Sequence, residues 1–178
     1  MSGVPKAGSG LARWFGSFAD LSLADQRAVV ELVKAGGAIQ GSVEEILPRL
    51  CRTRMMALLR EGERGRIVGA GALKTPLRHY RQGRFAHAGA SIAGFEEAPE
   101  LGYVVVHRDR RGQMLSGDIV EAIAAAIHEP AFATTDSNTM CNNLERSGFM
   151  RVGTDWQGSK GTLSLWIIDP GASCSGDG

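Results

Sequence analysis

Residues 100–116, ELGYVVVHRDRRGQMLS, constrain the fold most, because they combine an apolar run, an Arg-Gly turn and the start of an amphipathic segment. The run contains valine, leucine and tyrosine, which is typical of a buried strand, and the polar residues 107–111 end it. Beyond the turn an apolar residue recurs every four positions, which predicts a helix ending near Glu129-Pro130. The members of this stripe are Leu115, Ile119, Ile123 and Ile127.

The turn before this helix has the properties of an anion site. The first turn of a helix has unpaired backbone N–H groups, and the helix dipole places about half a positive charge there. Arg111 adds a full charge, and Gly112 allows the backbone to approach a diphosphate closely. The alternative interpretation is an ordinary strand, loop and helix with a basic surface.

The turn resembles the phosphate-binding motif of the GNAT superfamily of N-acetyltransferases, Arg/Gln-x-x-Gly-x-Gly/Ala after a strand. The motif implies that the diphosphate of coenzyme A is bound by Arg111, Gly112, Gln113, Met114, Leu115 and Ser116. Met114 stands where the family usually has glycine, so its side chain either crowds the phosphate or points elsewhere. Ser116 provides a small residue at the last position.

A second segment, residues 135–149, is similar to the family's Asn-led helix that ends in Gly-Phe, and it follows a predicted strand at residues 131–134. The family's asparagine aligns with Ser137 by strict spacing, or with Asn138 if one residue is missing. Asn138 is therefore a candidate cofactor-binding residue, although both residues are also common helix caps. Many members have a tyrosine in this helix that protonates the thiolate, and the corresponding position here is Leu144, so no tyrosine acid is assigned.

The whole chain predicts a single α/β (α+β) domain over residues 11–169. Its 178 residues are 43% hydrophobic, enough for one sizeable core. The order of helices and strands predicts a central mixed, mostly antiparallel sheet with helices on both faces, and it also matches the superfamily. Residues 1–10 and 170–178 are rich in Gly, Ser and Ala and are predicted to be disordered.

Short local patterns give the other elements. Ser22 has capping-box spacing and begins a helix closed by Gly36-Gly37, and residues 42–45 begin a second, short helix limited by Pro48. A hairpin is predicted from residues 54–60 and 66–74, and a final strand pair from residues 150–154 and 162–168. The final pair is a candidate homodimer surface.

Residues 74–95 form a basic segment with no carboxylate. A connection of this length is functional or mobile. It is interpreted either as a solvated loop or as a substrate-facing lid for something anionic, with Tyr80 and Phe85 available to pack on it.

Acetyl transfer from a thioester requires an amine that has lost its proton, and most amines are protonated near pH 7. Glu100, which enters the buried strand, is the candidate base. The alternative is a glutamate that caps the loop or pairs with an arginine of the basic segment. By resemblance to the family, backbone groups near Val105 and Val106 pair with the pantetheine arm, and N–H groups of this strand stabilise the oxyanion.

These features predict an acetyl-CoA-dependent N-acetyltransferase that acts directly on a primary amine of a small molecule or peptide. The alternative, favoured by Met114 and Leu144, is a non-catalytic coenzyme-A-binding or regulatory module with the same fold. A nucleic-acid-modifying or tRNA-acting enzyme that uses the basic segment is a third interpretation.

Composition and charge exclude several other classes of function. A net charge of +1 argues against general nucleic-acid binding, and no hydrophobic run approaches the ~20 residues that span a bilayer. The cysteines are far apart in the sequence, and no histidine lies at the spacing from them that a metal site requires. Neither a metal site nor a set of disulfides is therefore expected. A cytoplasmic protein is the simplest interpretation. The cysteines are Cys51, Cys141 and Cys174.

Overall fold

The computed structural model describes residues 10–37 and 39–172, so most of the two termini predicted to be disordered lies outside the described residues. Strands and helices alternate along the chain, and the predicted α/β domain with a mixed sheet is confirmed. The strands are β1 (Leu11–Gly16), β2 (Thr53–Glu61), β3 (Ile67–Lys74), β4 (Glu100–Val106), β5 (Ala131–Thr135), β6 (Met150–Gln157) and β7 (Thr162–Ile168). The helices are α1 (Leu23–Ala35), α2 (Val43–Cys51), α3 (Arg78–Ala88), α4 (Leu115–Ala125) and α5 (Asn138–Arg146).

All seven strands belong to one sheet in the order β1-β2-β3-β4-β5-β7-β6. Neighbouring strands are antiparallel except β4 and β5, which run parallel with Glu100 opposite Phe132. The β4–β5 pair therefore divides an antiparallel hairpin region from the antiparallel pair β5–β7 and its neighbour β6. The functional features described below lie along this division.

Helices cover both faces of the sheet, as predicted. On one face α1 and α2 pack against alternate residues of β2, β3 and β4, and α3 packs on the same face over Phe132 and Leu165. On the other face α4 and α5 bury a separate cluster. The predicted stripe of α4 lies in this cluster, with Leu115, Ile119 and Ile123 each at most 4% exposed.

Two helix boundaries differ from the predictions. Pro48 does not limit α2, which continues to Cys51. Proline removes one helical hydrogen bond, but Ile46 and Leu50 on either side of it are both fully buried, and this packing holds the helix together. The helix α4 ends at Ala125 and not near Glu129, because the backbone N–H of Ile127 already bonds to Ala124 in a closing turn.

The capping box predicted at Ser22 forms only in part, whereas a complete box forms at Ser42. Ser42 and Glu45 form the reciprocal pair at the start of α2, with backbone N–H to side-chain oxygen distances of 2.8 and 3.3 Å. At α1 the Ser22 side chain accepts from the Asp25 N–H, but the Asp25 carboxylate lies 2.6 Å from Nη2 of Arg60. This ion pair lowers the pKa of Asp25 and replaces the second half of the box.

Two elements were absent from the sequence-based prediction. The strand β1 pairs antiparallel with β2 from Leu11 to Gly16. The basic segment contains the helix α3 and is therefore not a loop. Arg81 of α3 is 2% exposed and its guanidinium donates to backbone carbonyls of Ala98 and Glu96, so it fixes the following connection to the helix. Phe85 is buried in the core and does not pack on a ligand.

Candidate active site

The parallel strands β4 and β5 separate almost as soon as they meet. Their described register is the single pair Glu100 with Phe132, although both strands continue beyond it. The space between them has a volume of about 650 Å³, and we call it the cleft. Its walls include residues 101–104 of β4, residues 134–135 of β5 and one side of α5.

A bulge in β4 lies at the wall of the cleft. The β3–β4 register passes from Ala72–Gly102 to Ala70–Val105, so two residues of β4 oppose the single residue Gly71. Tyr103, in the bulge, has a φ of +54°, a left-handed conformation that non-glycine residues seldom adopt. A bulge turns backbone groups out of the ladder, and here it does so beside the cleft.

Val105 and Val106 pair with Ala70 and Gly69 of β3. They line a second, smaller space of about 350 Å³ at the start of α4, which we call the anion groove. The predicted free backbone groups near these two residues therefore border the groove, while the cleft itself is bordered by residues 101–104.

The turn predicted to bind phosphate forms the wall of the anion groove. Arg111, Gly112, Met114, Leu115 and Ser116 line it. Within the described part of the chain, the backbone N–H groups of residues 112–116 donate to no other residue, and α4 has no side-chain cap at its N-terminus. Unpaired N–H groups around a concave surface at a helix N-terminus are suited to an anion.

Gly112 and Met114 both adopt left-handed backbone conformations, with φ of +78° and +60°. The structure thus explains why a glycine suits the position of Met114. The Met114 side chain is 66% exposed, so much of it points to solvent although it borders the groove.

We expect Met114→Gly to raise the free energy of unfolding by up to about 1 kcal/mol. The change relieves a left-handed conformation that costs an ordinary residue about 1 to 2 kcal/mol, and this exceeds the roughly 0.5 to 1 kcal/mol that glycine loses in chain entropy. Urea denaturation measures the difference. Gln113→Gly is the matched control, since its residue has no positive φ, and we expect it to destabilise. Equal losses in both variants would contradict the strain at Met114.

Two adjacent arginines at the groove differ in their partners. Arg110 is held by Glu61, with Nε 3.1 Å from Oε1. Arg111 is exposed and has no carboxylate within 4.0 Å among the described residues. Arg111 is therefore the arginine whose charge is available to an anion in the groove.

The helix α5 presents two different sides. Thr139, Met140 and Asn143 face the cleft, whereas Asn138 lies with Cys141 along a separate groove near Arg151. Of the three asparagines in α5, Asn143 is the one that lines the cleft, where its Nδ2 donates to Ser116 Oγ at 3.1 Å. Ser137 caps the helix by accepting from the Met140 N–H and also lines the cleft.

Leu144, at the position where many family members have a tyrosine, is fully buried in the cluster beneath α4. It has no access to the cleft and no polar atom. The Leu144 side chain therefore offers no proton donor to the cleft.

A lysine closes the outer side of the cleft. Lys160, in the loop between β6 and β7, places Nζ 2.6 Å from the backbone carbonyl of Gly37 at the end of α1. Both residues line the cleft, so this hydrogen bond spans it.

Glu100 is only 2% exposed and is surrounded by polar groups. Its Oε1 accepts from Tyr80 Oη at 3.3 Å and from Thr134 Oγ1 at 3.2 Å. Its Oε2 lies 2.8 Å from Lys74 Nζ in an ion pair, and no other group among the described residues donates to this buried oxygen. Glu100 thus pairs with a cation of the basic segment, the lysine, and not with an arginine.

The charges of this cluster stabilise one another. Burial opposes the ammonium of Lys74, but the carboxylate of Glu100 overcomes this and raises the pKa of Lys74 above its ordinary value. Burial, with the same carboxylate, raises the pKa of Tyr80. Tyr80 is consequently a neutral phenol near pH 7.

Beside this cluster lies a third space of about 370 Å³, which we call the basic pocket. Glu100 and Tyr103 line it, and Tyr103 lines the cleft as well. The basic pocket and the cleft therefore meet at Tyr103. Its other polar walls come from Arg49, Arg52, Lys74, His79, Tyr80 and Arg84.

Among the residues that line these spaces, Glu100 and the turn after β4 were named as candidates from the sequence, but Lys74, Tyr103, Asn143 and Lys160 were not singled out. One signal was available for Lys74: it is the last residue of an apolar strand that precedes the strand begun by Glu100, and in the antiparallel register these two residues are opposite each other. No comparable signal marks Lys160, whose hydrogen-bond partner Gly37 lies far away in the sequence.

Each helix in the described part of the chain is too short or too polar to span a bilayer.

Solved structures with the same arrangement are numerous, although no protein-family model and no curated protein matches the sequence. An acyl-CoA N-acyltransferase from Pseudomonas aeruginosa aligns with a TM-score of 0.63 and 15% identity over 88% of this chain and 98% of its own. A GNAT-family acetyltransferase from Streptococcus agalactiae gives 0.59 and 11%, covering 88% and 95%. The yncA protein of Salmonella typhimurium, solved with its cofactor acetyl-CoA, gives 0.59 and 15%, covering 90% and 94%. The chain therefore has the fold of the GNAT superfamily, as its two sequence motifs predict.

Proposed function

We propose that this protein is an N-acetyltransferase that takes acetyl-CoA as donor and transfers the acetyl group directly to an amine. One observation carries the proposal: the separation of β4 from β5 opens a cleft that continues into a groove of unpaired backbone N–H groups. An extended thiol arm attached to a diphosphate fits the shape of this space, and its negative charge is complementary to the N–H groups of the groove. The neighbouring solved structures, one of them bound to acetyl-CoA, support the same donor.

The residues present fit coenzyme A. The backbone of residues 112–116, with the free charge of Arg111, would hold the diphosphate, and Gly112 has no atom within 4 Å of where a side chain would begin. Backbone groups of β4 near the bulge would pair with the pantetheine arm between Thr134 and Asn143. Asn143 is a better candidate here than Asn138, which faces away from the cleft.

When bound, acetyl-CoA supplies a thioester whose carbonyl an amine can attack. Backbone N–H groups at the Tyr103 bulge would stabilise the oxyanion that develops there. Glu100 would take the proton of the amine, because it is the one carboxylate among the residues that line the pocket next to Tyr103. The neutral phenol of Tyr80 keeps the other carboxylate oxygen in place.

A non-catalytic coenzyme-A-binding module is the second candidate. Two observations favour it: Leu144 provides no acid, and the carboxylate of Glu100 is already paired with Lys74. This module would keep the cleft and the groove and would bind acetyl-CoA without turnover in the presence of amines.

We expect Arg111→Ala to weaken acetyl-CoA binding by about tenfold or more, because it removes a charged hydrogen-bond donor to the diphosphate. Calorimetric titration with acetyl-CoA and with free coenzyme A measures the effect. The control is Arg108→Ala, since the Arg108 side chain is 84% exposed and lies outside the groove.

Equal affinity in the wild type and in Arg111→Ala would contradict the assigned diphosphate site. Absence of any binding would overturn both candidate functions. Binding together with thiol release when amines are added would separate the enzyme from the module.

A further inference from the structure

The basic pocket has far more positive than negative charge. Four of the side chains that line it are arginine or lysine, and Glu100 is its one carboxylate. Lys74 pairs with that carboxylate at 2.8 Å, so the two charges cancel each other. The net positive charge of the pocket therefore comes from three arginines, Arg49, Arg52 and Arg84.

These arginines have no internal counter-charge. None of them has a carboxylate within 4.0 Å among the described residues, although other arginines such as Arg54 and Arg60 do. Arg49 and Arg52 lie at the end of α2, where the helix dipole supplies about half a negative charge. That partial charge is too small to balance three guanidinium groups, so the excess faces the pocket.

The arginine of α3 is held in position. The guanidinium carbon of Arg84 lies 4.4 Å from the centre of the Tyr80 ring, and Tyr80 in turn donates to Glu100. This stacking orients a planar donor group without using its charge in an ion pair. Guanidinium groups of this kind bind carboxylate and phosphate through paired hydrogen bonds.

The position of the charge relative to the cleft matters for function. Tyr103 lines both the cleft and the basic pocket, and Glu100 lies beside it. A molecule in the basic pocket can therefore place one end near the cleft and the other against the arginines.

We propose that the acceptor is an amine that also carries an anionic group, carboxylate or phosphate, which is bound by Arg49, Arg52 and Arg84 while the amine faces Glu100. This inference rests on the proposed acetyl transfer, because it names the acceptor of that reaction. The charge of the pocket stands independently of it. The two chemical sources of the anionic group are separated by the test below.

The test uses two pairs of amines, in each of which one member carries the anionic group and the other is its uncharged counterpart. One pair is 4-aminobutyrate and 4-aminobutanamide, and the other is 2-aminoethyl phosphate and 2-aminoethanol. Each is titrated calorimetrically into the wild type in the absence of acetyl-CoA, and each is then assayed for acetylation by thiol release. We expect at least one anionic member to bind about tenfold or more tightly than its neutral partner. The pair that shows the preference identifies carboxylate or phosphate.

The double variant Arg52→Gln/Arg84→Gln should abolish this preference and leave acetyl-CoA binding unchanged. Both side chains lie outside the cleft and the anion groove. The control is Arg27→Gln on α1, an exposed arginine that borders none of the three spaces, and it should keep the preference.

The outcomes separate the two proposals. Acetyl-CoA binding without any preference for an anionic amine overturns the anionic acceptor and leaves the proposed function standing. A preference that depends on Arg52 and Arg84, in a protein that does not bind acetyl-CoA, supports an anion-binding pocket and overturns the acetyl transfer. A preference that survives the double variant overturns the assignment to these arginines.

Discussion

Replacing Lys74 by methionine will lower the free energy of unfolding by about 3 kcal/mol, the low end of what breaking a buried ion pair costs, because 18% of the lysine side chain remains exposed. The variant leaves the carboxylate of Glu100, which is 3% exposed, without its counter-charge. Methionine keeps most of the volume of the lysine stem, so packing changes contribute little. Urea denaturation at pH 7 measures the loss.

Two further variants isolate the charge from the packing. Lys34→Met removes an exposed lysine in the last turn of α1, and we expect a loss of less than about 1 kcal/mol, the size of a helix-dipole interaction. Lys74→Met/Glu100→Gln removes both charges and should recover most of the stability. If the double variant were as unstable as the single one, the loss would come from packing and the ion pair would contribute little.

The pH dependence provides a second measurement on the same variants. The folded state raises the pKa of Lys74, so folded molecules hold this proton more tightly than unfolded ones, and the stabilisation is complete below the unfolded pKa of about 10.4. It is lost as the pH rises through the folded value. Tyr80, whose pKa burial also raises, adds to the same alkaline loss. Lys74→Met should therefore lose less stability than the wild type between neutral pH and pH values above about 10.5.

The sequence predicted those parts of the site that depend on local chain geometry. The stripe from Leu115 to Ile123 and the turn at Gly112 are set by residues close together in the chain, so periodicity and backbone freedom are sufficient to find them. Glycine is the residue that adopts left-handed conformations most easily, and Met114, which replaces the glycine of the motif, keeps that left-handed conformation.

The parts that depend on register or rotation could not be predicted locally. Lys74 meets Glu100 only because β3 and β4 pair in one particular register. Asn143, and not Asn138, faces the cleft because of how α5 is rotated on the sheet, which no local pattern specifies.

The helix α3 was missed because its residues form no continuous apolar stripe. Its sequence RHYRQGRFAHA is strongly polar and contains Gly83, which disfavours a helix. Tertiary contacts compensate: Phe85 is buried against Phe132, and Arg81 donates to carbonyls of the next connection. The basic segment, interpreted as a solvated loop or a lid, instead contains a helix whose residues line the basic pocket.

We expect Glu100→Gln to lower the rate of acetyl transfer to an amine by about 100-fold or more, the usual contribution of a positioned general base. Glutamine has nearly the same shape and can still accept from Tyr80 and Thr134, so acetyl-CoA binding should be unchanged. Stopped assays of thiol release against a panel of amines give kcat and KM, and calorimetry gives the affinity for acetyl-CoA. Because the substitution also leaves Lys74 unpaired, a loss of rate in this variant alone does not identify its cause.

The double variant Lys74→Met/Glu100→Gln resolves this ambiguity. It removes the unpaired charge, so a structural role for Glu100 predicts that the rate returns along with the stability. A role as base predicts that the stability returns and the rate does not, since no carboxylate is left to take the proton. A rate restored to that of wild type would remove Glu100 from the chemistry and leave it as the counter-charge of Lys74. A rate that stays low in a stably folded protein that binds acetyl-CoA requires the carboxylate itself.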